Sequence, residues 1–117
     1  MEDTIIEKLN QLGVDVDTAI ARFAGKKERY VKYMKLHAEQ NYYSKLLDAL
    51  ASGDLEAAQR YSHTLKGDFR NFEFTEIIPA MVSINEILKT QTSDGVDELI
   101  DFIDLKYNNI IDVIKIN

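Results

Sequence analysis

The sequence predicts an all-α fold: an antiparallel up-down four-helix bundle with short extra N-terminal helices. Three observations carry this expectation. Apolar residues recur at spacings of three and four, which a helix of about 3.6 residues per turn gathers on one face. The breaks are short, with Gly53-Asp54 and Ser93-Asp94-Gly95 reading as helix stops and starts. No hairpin dipeptide such as Asn-Gly separates runs of alternating residues. Four longer helices joined by such short loops pack as antiparallel neighbours.

Each element follows from its own signals. Asp3 or Thr4 caps a short first helix that carries Ile5, Ile6, Leu9 and Leu12, and Gly13 ends it. Asp17 is expected to cap a second short segment, Thr18 to Ala24, stopped by Gly25. A long helical segment should run from about Lys27 to Ala51, with a bend near Asn41, a weak helix former. Gly53 stops it, and Asp54 is a good N-cap for a helix reaching roughly Phe72. Thr75 is expected to cap the next helix, with the single proline, Pro79, at the edge of its first turn, where it does least harm. Val96 to about Ile116 makes the last helix. Its β-branched run Ile110-Ile111-Asp112-Val113-Ile114 continues a helical period through Leu99, Phe102, Ile103 and Lys106. The chain of 117 residues reads as a single domain, 1–117, with a core from about 18 to 117.

Composition excludes several function classes. There is no cysteine, so disulfides and thiolate metal sites are ruled out, and a reducing compartment fits. No apolar run approaches a membrane span, and the start Met1-Glu2-Asp3 lacks the basic and apolar stretches of a signal peptide, so the expected location is the cytoplasm. A formal net charge of −6 disfavours nucleic acid and anionic membranes as partners. The five glycines are dispersed and form no phosphate-cradling loop, so no nucleotide site is expected.

The run His63-Thr64-Leu65-Lys66-Gly67 carries the most chemistry. On a helix, residues three and four apart are neighbours, so His63, Lys66, Gly67 and Arg70 form one stripe. The expected inward face is Leu55, Ala58, Ser62, Leu65, Phe69 and Phe72, which turns His63 and Gly67 outward and puts Lys66 at the flank. The helix before should bury Leu36, Tyr43, Leu47 and Leu50, and the helix after it Ile77, Met81, Ile84 and Leu88. The stripe suits a histidine that carries a phosphoryl group. Its ring nitrogen is the nucleophile, Lys66 supplies positive charge with help from Arg70, and Gly67 clears space for a docking partner. His63 lies mid-helix, so no helix N-terminus is available to hold a phosphate and the lysine must substitute.

Ser62-His63-Thr64-Leu65-Lys66-Gly67 resembles the active-site motif of histidine-containing phosphotransfer (HPt) domains, the four-helix-bundle relays of multistep two-component signalling. Leu46-Leu47-Asp48-Ala49-Leu50, Ser52-Gly53-Asp54 and Leu55-Glu56-Ala57-Ala58 resemble the family's approach to that motif. Gly13-Val14-Asp15-Val16-Asp17, Arg22-Phe23-Ala24-Gly25 and Tyr30 are similar to its entry segment. The resemblance covers about Gly13 to Leu88.

It implies a phosphorelay phosphocarrier that takes a phosphoryl group from the aspartate of one response-regulator receiver domain and gives it to another, through His63. A hybrid histidine kinase is a further implied partner. Mg²⁺ and most catalytic groups would belong to the receiver, so this chain needs no cofactor or metal of its own, is not an enzyme, and is expected to be a monomer. Many members place a glutamine on the next helix to hydrogen-bond the histidine ring, and Asn85 is the nearest candidate here.

Three residues depart from the family pattern. Arg70 is bulky where members are usually small, Glu73 stands where they have a second glycine, and Asp68 and Glu73 bring negative charge towards the site. These motivate an alternative, an HPt-like module that binds a receiver or kinase without phosphotransfer. A metal-binding or catalytic bundle is disfavoured, because no inward Glu-x-x-His pair is present. His37 reads as structural or merely exposed, and Tyr30, Tyr33, Tyr42 and Tyr43 as packing residues.

Overall fold

The computed structural model describes residues 2–116. They form seven helices: α1 (Glu2–Gln11), α2 (Val16–Arg22), α3 (Lys27–Gln40), α4 (Tyr42–Ser52), α5 (Leu55–Asn71), α6 (Ile78–Lys89) and α7 (Val96–Ile116). No described residue is in a strand. Helix α5 packs against both α4 and α6, α7 closes the bundle against α6 and α3, and α1 lies on α3 and α7. Ile5, Leu9, Val14 and Val16 from the N-terminal helices join the same buried cluster as Leu65, Ile84 and Ile103. Among the described residues, no helix is long and apolar enough to cross a membrane.

The expected long helix over 27–51 is two helices. Asn41 sits in the left-handed region at φ 54°, which asparagine tolerates better than most residues, and this breaks the hydrogen-bond ladder rather than bending it. The break resets the helical phase. Leu36, expected inward from the register of α4, is therefore 40% exposed, and α3 buries Tyr30, Val31, Met34, His37 and Ala38 instead. In α4 the buried residues are Tyr43, Leu46 and Ala49, with Leu47 and Leu50 half-buried. The stripe expected for α6 is buried throughout, as Ile77, Met81, Ile84 and Leu88.

Three helix starts differ from expectation. Helix α1 already includes Glu2, Asp3 and Thr4, so neither Asp3 nor Thr4 caps it. Asp15, not Asp17, caps α2, accepting hydrogen bonds from the Thr18 backbone N–H (3.3 Å) and hydroxyl (2.8 Å). Val16 is thereby drawn into the first turn and buried. Thr75 does not cap α6. Its hydroxyl donates to the Glu73 carbonyl at 3.1 Å, and the helix starts at Ile78 with Pro79 in its first turn, where a missing N–H costs nothing.

The ends of α4 and α5 share one design. After α4, Gly53 at φ 73° lets its own N–H reach the Leu50 carbonyl (3.2 Å) and the Asp54 N–H reach that of Ala49 (2.9 Å), a Schellman motif. After α5 the same pair runs from Glu73 to Arg70 (3.2 Å) and from Phe74 to Phe69 (3.0 Å), with Glu73 at φ 57°. Glutamate is thus strained at a position suited to glycine. Arg22 compensates by binding the Glu73 carboxylate at 2.7 Å. Replacing Glu73 by alanine should lose the ion pair and keep the strain. Glu73→Gly should therefore be more stable than Glu73→Ala by about 1 kcal/mol in urea denaturation, and equal stabilities would refute the strain.

Candidate functional site

Helix α5 is set by its cap and its buried face. Asp54 accepts a hydrogen bond from the Ala57 N–H at 3.1 Å. Ala57, Ala58, Ser62, Leu65 and Phe69 are buried, with Phe72 just past the end also buried. At about 100° per residue the opposite face must look outward. His63 and Gly67 are exposed there, as is Arg70 one turn on, and Lys66 is half-buried on the flank facing α6. The four residues of the expected stripe are thus together on one accessible surface.

Gly67 has no packing role. A Cβ built on it would meet nothing within 4 Å, apart from its own helix and chain neighbours, so the missing side chain clears only the outer surface. Beside His63, a groove of about 440 Å³ between α5 and α6 is edged by Arg60, Thr64, Asn85 and Lys89. Arg60 lies three residues before His63 and extends the basic stripe; the same spacing rule that picked out Lys66 would have found it. Each rim cation has an exposed carboxylate nearby: Glu56 is 3.6 Å from Arg60, and Glu86 is 3.3 Å from Lys89.

Asn85, expected as the partner of the histidine ring, is hydrogen-bonded elsewhere. Its Oδ1 accepts from Lys66 Nζ at 3.2 Å, and its amide nitrogen donates to Ser62 Oγ at 3.0 Å and to the Gln59 carbonyl at 3.4 Å. The shorter asparagine stays in the bundle and engages the lysine one turn beyond His63.

The two carboxylates that looked out of place are both internally paired. Asp68 turns from the outer face towards α3, where its Oδ2 is 2.9 Å from His37 Nδ1. The other ring nitrogen of His37 lies 2.6 Å from the Tyr107 hydroxyl. A carboxylate can only accept, so Nδ1 is the donor to Asp68, and in the neutral ring Nε2 accepts the tyrosine proton. Burial, reinforced by Asp68, raises the Tyr107 pKa well above the ordinary tyrosine value and keeps that hydroxyl protonated. Glu73 is held by Arg22, as described above. Sequence reasoning missed the link from Asp68 to His37. The spacing of His37 from Met34 and Tyr30 was the available signal, hidden by the assumption that the register of α4 continued through Asn41.

The family model for the Hpt domain matches residues 36–113. The chain belongs to the Hpt family. The match runs from the last turns of α3 to most of α7 and contains His63, Lys66, Gly67, Arg70 and Asn85. No curated protein and no solved structure matches significantly. Hpt domains are helical bundles that act as phosphocarriers in two-component phosphorelays, interacting with receiver domains and kinases. The present Hpt domain has the helical architecture in full.

Two stability measurements follow. In this Hpt domain, Gly67→Ala should raise the urea midpoint, adding about 0.5–1 kcal/mol through helix propensity alone; a lower midpoint would mean that the glycine is required for packing. His37→Leu should lower stability by about 2–4 kcal/mol, because it strands the Asp68 carboxylate and the Tyr107 hydroxyl. A loss below 1 kcal/mol would show that neither group depends on the imidazole.

Proposed function

We propose that this Hpt domain is a phosphorelay phosphocarrier in which His63 accepts a phosphoryl group from the aspartate of a receiver domain and donates it to another. The observation that carries the reading is the outward face of α5, where an exposed imidazole stands beside a tethered lysine and a glycine without packing function. In the transfer, the lone pair of an imidazole nitrogen attacks phosphorus. The P–O bond to the donor aspartate breaks and its carboxylate leaves with the electron pair. The proton on the other ring nitrogen stays in place. Such transfers depend on positioning and on charge stabilisation. Lys66 offers an ammonium for the phosphoryl oxygens, and Arg70 lies one turn beyond.

The reading includes a single domain over 1–117, a monomeric carrier without its own nucleotide site, and a cytoplasmic location that suits the cysteine-free composition. A hybrid histidine kinase is a further proposed partner. The alternative, a docking module that binds a receiver or kinase without transfer, drew on Asp68, Arg70 and Glu73. Two of these have internal partners, His37 and Arg22, which leaves Arg70 as its remaining support.

Incubation with phosphorylated receiver domains tests the two readings against each other. An acid-labile label is expected on the wild type and absent from His63→Gln, with Lys66→Ala slowed about tenfold or more, as for loss of one charge-assisted hydrogen bond. Receiver binding by the wild type without any label would favour the docking module.

A further inference from the structure

We infer that Asn85 is a positioning residue for Lys66, holding its ammonium at the phosphoryl face before any phosphoryl group arrives. This rests on the phosphotransfer reading and goes beyond it. Asn85 is fully buried, on a face of α6 whose other members, Met81, Ile84 and Leu88, are apolar. A buried amide there is unfavourable unless its hydrogen bonds are made. All of them serve one arrangement. Ser62 Oγ donates to the Gln59 carbonyl at 2.9 Å, so it presents a lone pair to Asn85 and must receive the amide N–H at 3.0 Å. The second amide N–H goes to the Gln59 carbonyl at 3.4 Å. The carbonyl end of Asn85 is thereby aimed at Lys66 Nζ, 3.2 Å away, which can only donate. Side-chain chemistry fixes the amide orientation at each contact.

The consequence for the lysine is specific. Lysine has a long, flexible stem whose freedom must be lost if its charge is to act at one place. Asn85 removes much of that freedom in the resting protein. It uses one of the three N–H donors of the ammonium and leaves two for phosphoryl oxygens. Because the anchor is a neutral amide, the positive charge is retained, whereas a carboxylate at 85 would neutralise it. Lys66 lies three residues after His63, on the adjoining part of the helix surface. The family's usual glutamine would address the histidine; here the shorter residue addresses the lysine.

The test combines transfer kinetics with NMR. Single-turnover transfer from a receiver domain phosphorylated with acetyl phosphate is measured for wild type, Asn85→Ala, Lys66→Ala, their double variant, Ser62→Ala, and Ser62→Ala combined with Lys66→Ala, each checked for folding by thermal denaturation. Asn85→Ala is expected to be about tenfold slower with an unchanged half-saturating receiver concentration. The double variant should be no slower than Lys66→Ala, since the amide acts only through the lysine. Ser62→Ala should give a smaller loss that also vanishes without Lys66, and it carries the test if Asn85→Ala does not fold.

Transfer by Asn85→Ala at the wild-type rate, or an equal loss with and without Lys66, overturns the inference. In the unphosphorylated protein, the ¹⁵N signal of the Lys66 ammonium should be protected from exchange and should broaden away in the Asn85 or Ser62 variant. An unaffected signal also overturns it. A wild type that takes no label defeats the phosphotransfer reading itself, and the NMR comparison then still decides whether Asn85 anchors Lys66.

Discussion

The packing of α5 between α4 and α6 determines where every functional side chain stands. Once Ala58, Ser62, Leu65 and Phe69 are buried, the helical period leaves no freedom for the rest. His63 and Gly67 must face outward. Lys66 must flank α6, and Asp68 must flank α3. The residues those helices present then decide what each flanking charge does. Helix α6 offers Lys66 a neutral acceptor, Asn85, and α3 offers Asp68 an imidazole, His37. The cation is kept at the outer face and the anion is drawn off it.

That sorting matters in a chain whose formal charge is −6. The long-range field opposes the approach of another anion, so a phosphoryl group needs local compensation. In the proposed transfer, a stripe of Arg60, Lys66 and Arg70 along one side of α5 would supply it. Withdrawing nearby carboxylates is the other half of the same solution. Asp68 and Glu73 are built into the fold, one bridging α5 to α3 and the other closing the end of α5 against Arg22. Their charges are therefore already engaged when a partner docks.

Much of this was legible in the sequence because it depends on local periodicity. The phase of α5 was read from Leu65, Phe69 and their neighbours, the stop at Gly53-Asp54 from its residue types, and the buried stripe of α6 from its spacing. What escaped depended on φ angles and on contacts between distant segments. Asn41 gave a weak signal for a bend, and nothing local showed that it would enter the left-handed region and shift the phase of α3, exposing Leu36 and burying His37. Glu73 looked like an added charge, yet its main feature is a backbone angle usually given to glycine. Asn85 was expected to bond the histidine ring, whereas its amide binds Lys66, Ser62 and the Gln59 carbonyl; whether a side chain reaches a ring or a neighbouring ammonium depends on helix spacing that no sequence period encodes.

Three local rules are broken in this part of the bundle: a glycine in a helix interior, a glutamate at a left-handed angle, and an asparagine in an apolar stripe. The first two each cost about 1 kcal/mol. Beneath the end of α5 lies a compensating feature, an aromatic cluster in which Phe69 stands 5.2 Å from Tyr107 and 5.6 Å from Phe74, and His37 stands 5.4 Å from Phe72. Such pairs each add about 0.5–1.5 kcal/mol beyond the area they bury, enough to offset the strain above them. The cluster ties α3, α5 and α7 together at the end of α5, so His63 and Lys66 are carried on a braced helix rather than a loop. For the proposed phosphotransfer, which would rely on placing charge correctly, that rigidity supports the reading as directly as the exposed imidazole does.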